Sequence, residues 1–270
     1  MPDSSQHIRP ENTGSPPSLE PLAMVALEAG RMMLEIEAGA RTIEEIVEMV
    51  ARGLGAERVD LRIGYASLAL TIGVGSSGIT RMLKASHHGV NKRLEQEIWR
   101  LAKRVSRGTL TLDQTRTELA RLTRETPRHS RWVTAAAVGL ACAAFGRLLG
   151  VDWPGTGPVF LASAAGQFLR RELLARKING FICATPVAAL SCLLAGLGAG
   201  WAGSGTVTAA MVAAILLLVP GVPAVTAQSD ILEGRPTLGT ARAITVATTL
   251  VFMTAGLWIG QAFLDYWYGG

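Results

Sequence analysis

Residues able to do chemistry are sparse in this chain and unevenly placed. The most suggestive run is Pro220-Gly221-Val222-Pro223, inside a stretch with no charged residue between Lys177 and Asp230. Each proline removes a backbone N–H, and with it a hydrogen bond to the carbonyl four residues back, at Leu216 and Val219. In hydrocarbon such freed carbonyls must find partners or line a wet cavity. Transporters use broken helices of this kind to hold substrate or ion; a simple kink is the alternative. Asp230 and Arg242 lie on the two helices flanking the next short loop. They could hold that loop or receive a zwitterionic or anionic substrate, or they could be two solvated charges. Gln167 and the stripe Thr245, Thr248 and Thr249 could line a pathway or bond between helices. Arg147 reads as a side chain that snorkels outward.

Other candidates are weaker. Gly73, Gly75 and Gly78 match G-x-G-x-x-G, but the segment after them reads as extended rather than helical, so a glycine-rich hairpin turn is expected in place of a nucleotide site. His87-His88 reads as a solvated loop, because adjacent histidines cannot face one helical metal site. Cys142, Cys183 and Cys192 are odd in number and lack metal-ligand spacing. No nucleophile elbow, zinc-protease motif or phosphate loop is present, so no catalytic residue, metal or cofactor is expected.

The elements that must position these residues divide by composition. Charged residues make up 17% of the 270, against about 25% in ordinary soluble domains. Residues 1–131 carry 35 of them and residues 132–270 only 12. The first part is composed like a soluble domain and the second like a membrane segment. This excludes a wholly soluble enzyme, a disordered chain and a nucleic-acid module. Residues 1–18 read as a disordered tail without a cleavable signal peptide. Residues 19–131 read as a small α+β domain. Its helices are expected at Leu19–Ala38, from a Thr42/Glu45 capping box to Gly53, at Asn91–Arg107 and at Thr111–Arg124. Extended segments are expected at Arg58–Gly64, Ser67–Ile72 and Ile79–Ala85, with a turn over Gly73–Gly78.

Residues 132–270 read as five transmembrane helices: Trp132–Gly150, Trp153–Leu169, Ile178–Leu197, Thr206–Gln228 and Ala243–Leu264. Gly196–Gly205 is taken as the break between the third and fourth. Tyr266, Trp267 and Tyr268 read as an interfacial anchor. Arg128, Arg131, Arg170, Arg171, Arg176, Lys177, Arg235 and Arg242 all fall on one side. The opposite loops, Val151–Pro154 and Gly198–Gly205, contain no Lys or Arg. By the positive-inside rule the N-terminal domain is cytoplasmic and the C-terminus outside.

The chain resembles the short, split form of the threonine/serine exporter family and is similar to the larger subunit of its two-component succinate exporters. The resemblance runs through Gly39-Ala40, Ile43, Ile46 and Leu54-Gly55. It continues through Arg131-Trp132 and Val138-Gly139-Leu140-Ala141-Cys142. Its most specific part is Leu216–Pro223 with Asp230, Gly234, Gly239 and Arg242. It covers roughly residues 20 to 265 and implies a plasma (inner) membrane exporter of small hydrophilic metabolites, either hydroxy-amino acids or C4-dicarboxylates. It also implies a secondary carrier, a separate small membrane subunit as partner and no nucleic acid, with homo-oligomers also open. The competing reading is a membrane-anchored regulator or hydrolase-like protein whose soluble half carries the activity.

Overall fold

The computed structural model describes residues 19–86, 89–125 and 130–269; the expected tail and the His87-His88 pair lie outside the described residues. The chain divides into two compact units between residues 126 and 127.

The first unit contains α1 (Leu19–Glu35), α2 (Ala40–Gly53), β1 (Arg58–Ile63), β2 (Ser67–Val74), β3 (Ser77–Lys84), α3 (Lys92–Ser106) and α4 (Leu112–Glu125). The strands form one antiparallel sheet in the order β1-β2-β3. Leu68, Leu70 and Ile72 alternate onto one face of β2 and join the core made with Leu22, Met33, Ile43 and Ile46 of α1 and α2. The other face is polar, and Thr71 and Thr80 share a hydroxyl hydrogen bond of 2.9 Å across it.

The G-x-G-x-x-G run is a hairpin, as its extended flank implied. Gly73 pairs with Gly78 and Val74 with Ser77, so the turn is only Gly75-Ser76 and the strands are longer than expected. Gly75 has φ +56°, a value that L side chains resist.

Two helix entries behave differently. Thr111 and Gln114 cap α4 reciprocally, side chain to backbone N–H in both directions, at 3.0 and 3.4 Å. The expected Thr42/Glu45 box does not form. Gly39 is the N-cap of α2, which places Thr42 inside the helix, and Glu45 pairs with Arg41 one turn back at 3.0 Å. α1 likewise stops at Glu35, short of Ala38, and Glu37 adopts φ 63°.

The second unit contains α5 (Arg131–Leu148), α6 (Trp153–Ala175), α7 (Gly180–Trp201), α8 (Val207–Ile215), a 3₁₀ turn (Leu216–Leu218), α9 (Gly221–Leu232) and α10 (Pro236–Gly269). Helices α5, α6, α7 and α8 pack together, whereas α9 packs chiefly on α10, which lies against α7. Three expectations change. Gly196–Gly200 is inside α7, and the chain turns only after Trp201. The fourth hydrophobic stretch is two helices bent by 62° at the proline run. The last helix starts at Pro236, not Ala243, because proline suits a first helical turn where its missing N–H costs nothing.

The molecule is a mostly helical membrane protein with a small three-stranded sheet in its N-terminal part. By length and apolarity α7 and α10 can each cross a bilayer, and the bent α8–α9 pair makes a third. α5 and α6 fall short of that measure. Alanine and glycine dominate α5, while Arg170, Arg171 and Glu172 occupy the end of α6.

Candidate functional site

The break is built by its prolines. After the 3₁₀ turn, Val219 is extended (φ −62°, ψ 119°) and Pro220 is the N-cap of α9. Tight turns replace the lost helical bonds. Val219 N–H donates to the Leu216 carbonyl at 3.1 Å, Gly221 N–H to Val219 at 2.9 Å and Ala224 N–H to Pro220 at 2.9 Å. The carbonyls of Leu216 and Val219 are therefore not left bare by the prolines, contrary to the reading of the sequence, because the chain tightens to reach them. The outer side of the break is open. Val219, Gly221 and Val222 are exposed, and a Cβ on Gly221 would meet nothing within 4 Å.

Beyond the break, α9 and α10 form a hairpin held by backbone proximity. A Cβ on Gly239 would lie 2.5 Å from Ile231 Cγ1 and 2.7 Å from the Ala227 carbonyl oxygen. One turn further along α10, Arg242 Nη1 donates to Asp230 Oδ2 at 2.5 Å. The side chains are 7% and 0% exposed, so they are a desolvated pair and not solvated loop charges. Such a pair holds only while both partners are present.

Ahead of the break, α6 presents three consecutive inward positions to α7, α8 and the 3₁₀ turn. Ser163 Oγ donates to the Ala214 carbonyl at 3.1 Å. Gly166 faces Ser191 of α7, whose Oγ is 2.1 Å from where a Gly166 Cβ would sit. Gln167 is buried, 8% exposed, and forms no side-chain hydrogen bond among the described residues. Ser191 Oγ is fully buried and unpartnered. An unsatisfied buried hydroxyl costs about 1–3 kcal/mol. Reading the sequence passed over Ser191, whose only signal is a hydroxyl in an uncharged helix.

The remaining candidates separate. Thr245, Thr248 and Thr249 donate to carbonyls one turn back in their own helix at 3.1, 2.8 and 2.9 Å, so these hydroxyls support α10 itself. Arg147 stacks its guanidinium 4.4 Å from the Trp153 ring and donates to the Val151 carbonyl.

That end of the unit holds a cluster the sequence reading missed. Asp152 accepts from Gly155 N–H (2.9 Å) as the cap of α6, from Ser204 Oγ (2.6 Å) and from Gly205 N–H (2.8 Å). Its own N–H donates to Thr206 Oγ1 at 3.0 Å. One carboxylate thus ties the α5–α6 loop to the α7–α8 loop. The Ser204 hydroxyl, followed by the N–H groups of Gly155 and Gly205 and the Thr206 hydroxyl, holds its acidity below the ordinary Asp value.

In the first unit, shallow grooves flank Trp99 between α2 and α3, lined by Glu45, Glu48, Arg52 and Glu95. Their charges are spent locally, Arg52 on Glu48 and Lys92 on Glu95, with Lys103 over the Trp99 ring. No group of three metal-ligating side chains occurs among the described residues.

A family model described as "Putative threonine/serine exporter" (ThrE) matches residues 24–264. The chain is 29% identical over 244 residues to the probable succinate transporter subunit YjjP of Escherichia coli (strain K12), covering 87% of this chain and 93% of that one. It is 28% identical over 244 residues, with the same coverage, to the probable succinate transporter subunit YjjP of Klebsiella aerogenes. No solved structure matches the chain.

Proposed function

The chain belongs to the ThrE family of threonine/serine exporters, and from that premise we propose that it is a subunit of a secondary transporter exporting a small hydrophilic carboxylate metabolite across the plasma (inner) membrane. The family description and the relatives' name supply the two substrate classes, threonine/serine-type amino acids and succinate-type dicarboxylates. The relatives' designation as a subunit supports a separate membrane partner.

The observation that carries this reading is the 62° bend between α8 and α9, made by Pro220 and Pro223 in an otherwise uncharged stretch. An inert anchor has no use for a break exposed on one side. A carrier uses one as a hinge or as a lining of its path. In this reading α5, α6, α7, the α8–α9 pair and α10 are the five spans. The N-terminal unit is cytoplasmic, and the partner covers the open side of Val219, Gly221 and Val222. Pro220, Gly221, Pro223, Leu216, Val219, Gln167, Asp230 and Arg242 belong to the path or its mouth, Asp230 and Arg242 as a closed pair at the cytoplasmic end.

The test is export of succinate and of L-threonine from cells making the wild-type chain or the double variant Pro220→Ala/Pro223→Ala. Restoring a continuous helix lowers export at least tenfold while membrane abundance is kept. Normal export by the double variant reduces the break to a kink.

A further inference from the structure

Two polar side chains in the interior of the second unit, Gln167 and Ser191, have no hydrogen-bond partner among the described residues, and they meet at one glycine. Neighbouring polar groups are satisfied. Ser163 bonds the Ala214 carbonyl, Val219 N–H the Leu216 carbonyl and Gly221 N–H the Val219 carbonyl. Acceptors around the 3₁₀ turn are therefore in use, while the hydroxyl hydrogen of Ser191 and both amide hydrogens of Gln167 are not. Leu217 packs on the same glycine, 3.3 Å from its ideal Cβ position, so this spot touches the 3₁₀ turn that ends in the break.

We propose that Gln167 and Ser191, meeting at Gly166 beside the 3₁₀ turn, form a subsite for the carboxylate of the transported molecule. Neutral donors suit this task in a carrier, because they hold an anion in a dry interior without a fixed cation that would retain it. The Gln167 carbonyl is left to accept from an ammonium or hydroxyl group next to that carboxylate. Gly166 keeps the two side chains on one spot; any larger residue there displaces Ser191. Opening of the α8–α9 bend moves Leu217 aside and admits the carboxylate. The inference rests on the transporter reading above and adds the residues that recognise the substrate.

The experiment uses the full chain in inside-out vesicles from cells that make it, with Ser191→Ala, Gln167→Leu and Gln167→Glu. Half-saturating concentrations for succinate and L-threonine rise at least tenfold in the first two variants, with little change in maximal rate. Gln167→Glu, which sets like charge against the anion, abolishes uptake. In a second measurement, Ser191→Cys in a background lacking Cys142, Cys183 and Cys192 is labelled by a small thiol reagent. Succinate or threonine slows the labelling, and succinamide and threoninol, which lack the carboxylate, do not. The substrate giving both effects identifies the source of the carboxylate. Unchanged half-saturation in both Ser191→Ala and Gln167→Leu overturns the subsite while leaving transport standing. Carboxylate-specific protection without transport of either compound keeps the subsite and overturns the carrier. Equal slowing by the amide and alcohol controls overturns the subsite.

Discussion

Asp230 and Arg242 bond at 2.5 Å across the α9–α10 hairpin, one turn beyond the point where Gly239 lets the two backbones touch. The glycine sets the separation, and the pair fits inside it with almost no solvent contact. Removing either charge strands the other in the interior. Asp230→Asn or Arg242→Gln destabilises the purified protein by about 3–5 kcal/mol, read as loss of melting temperature in detergent. The exchange Asp230→Arg/Arg242→Asp recovers part of that loss; an exchange no better than the singles would show that the pair is not the source.

The Asp152 clamp has a pH signature. Its folded acidity is held below that of the unfolded chain, so its contribution is present above the ordinary carboxylate range and is lost as pH falls through the lower folded value. Wild type therefore melts above Asp152→Ala at neutral pH. The gap closes in acid, from about pH 4 downward. A gap independent of pH would mean that the carboxylate is not what ties the two loops.

Helices α7 and α10 are seamed by glycines. A Cβ on Gly256 would lie 2.3 Å from the Thr185 carbonyl oxygen, and one on Gly260 2.9 Å from Cys192 Sγ. Gly256→Leu overpacks this seam at a cost of about 1–3 kcal/mol. Gly157→Ala, on a part of α6 with nothing within 4 Å, is neutral or mildly stabilising. Melting curves of the two variants check the contrast.

The proposed orientation is open to labelling. In a background without the three buried cysteines, Ala202→Cys after α7 reacts with an impermeant thiol reagent added to intact cells, and Arg107→Cys after α3 does not. Reaction at Arg107→Cys reverses the topology.

How much of this could be read beforehand depended on how local the determinant is. The β2–β3 hairpin was legible because Gly75 and the extended flank lie within a few residues of each other. The cap of α4 was legible for the same reason, and the α8–α9 break because two prolines act on their own backbone. The Thr42/Glu45 box misled, since the same residues sit acceptably one turn inside a helix that Gly39 starts. The start of α10 was misplaced because Arg242 read as a water-side boundary. Its burial depends on Asp230, twelve residues away on another helix. Asp152 and Ser191 were illegible as functional positions, since one draws its partners from a loop more than fifty residues on and the other is defined by a glycine on a different helix.

Helix α10 has a mechanical consequence. It is a single rod of 34 residues, about 51 Å long at 1.5 Å per residue. It is pinned to α7 around Gly256 and Gly260 and to α9 around Gly239. Nineteen residues, about 28 Å, separate the centres of the two seams. A tilt of about 10° about the first pin sweeps the second, and α9 with it, through about 5 Å, so α10 works as a lever that turns a small rolling of packed glycines into a displacement the size of a substrate.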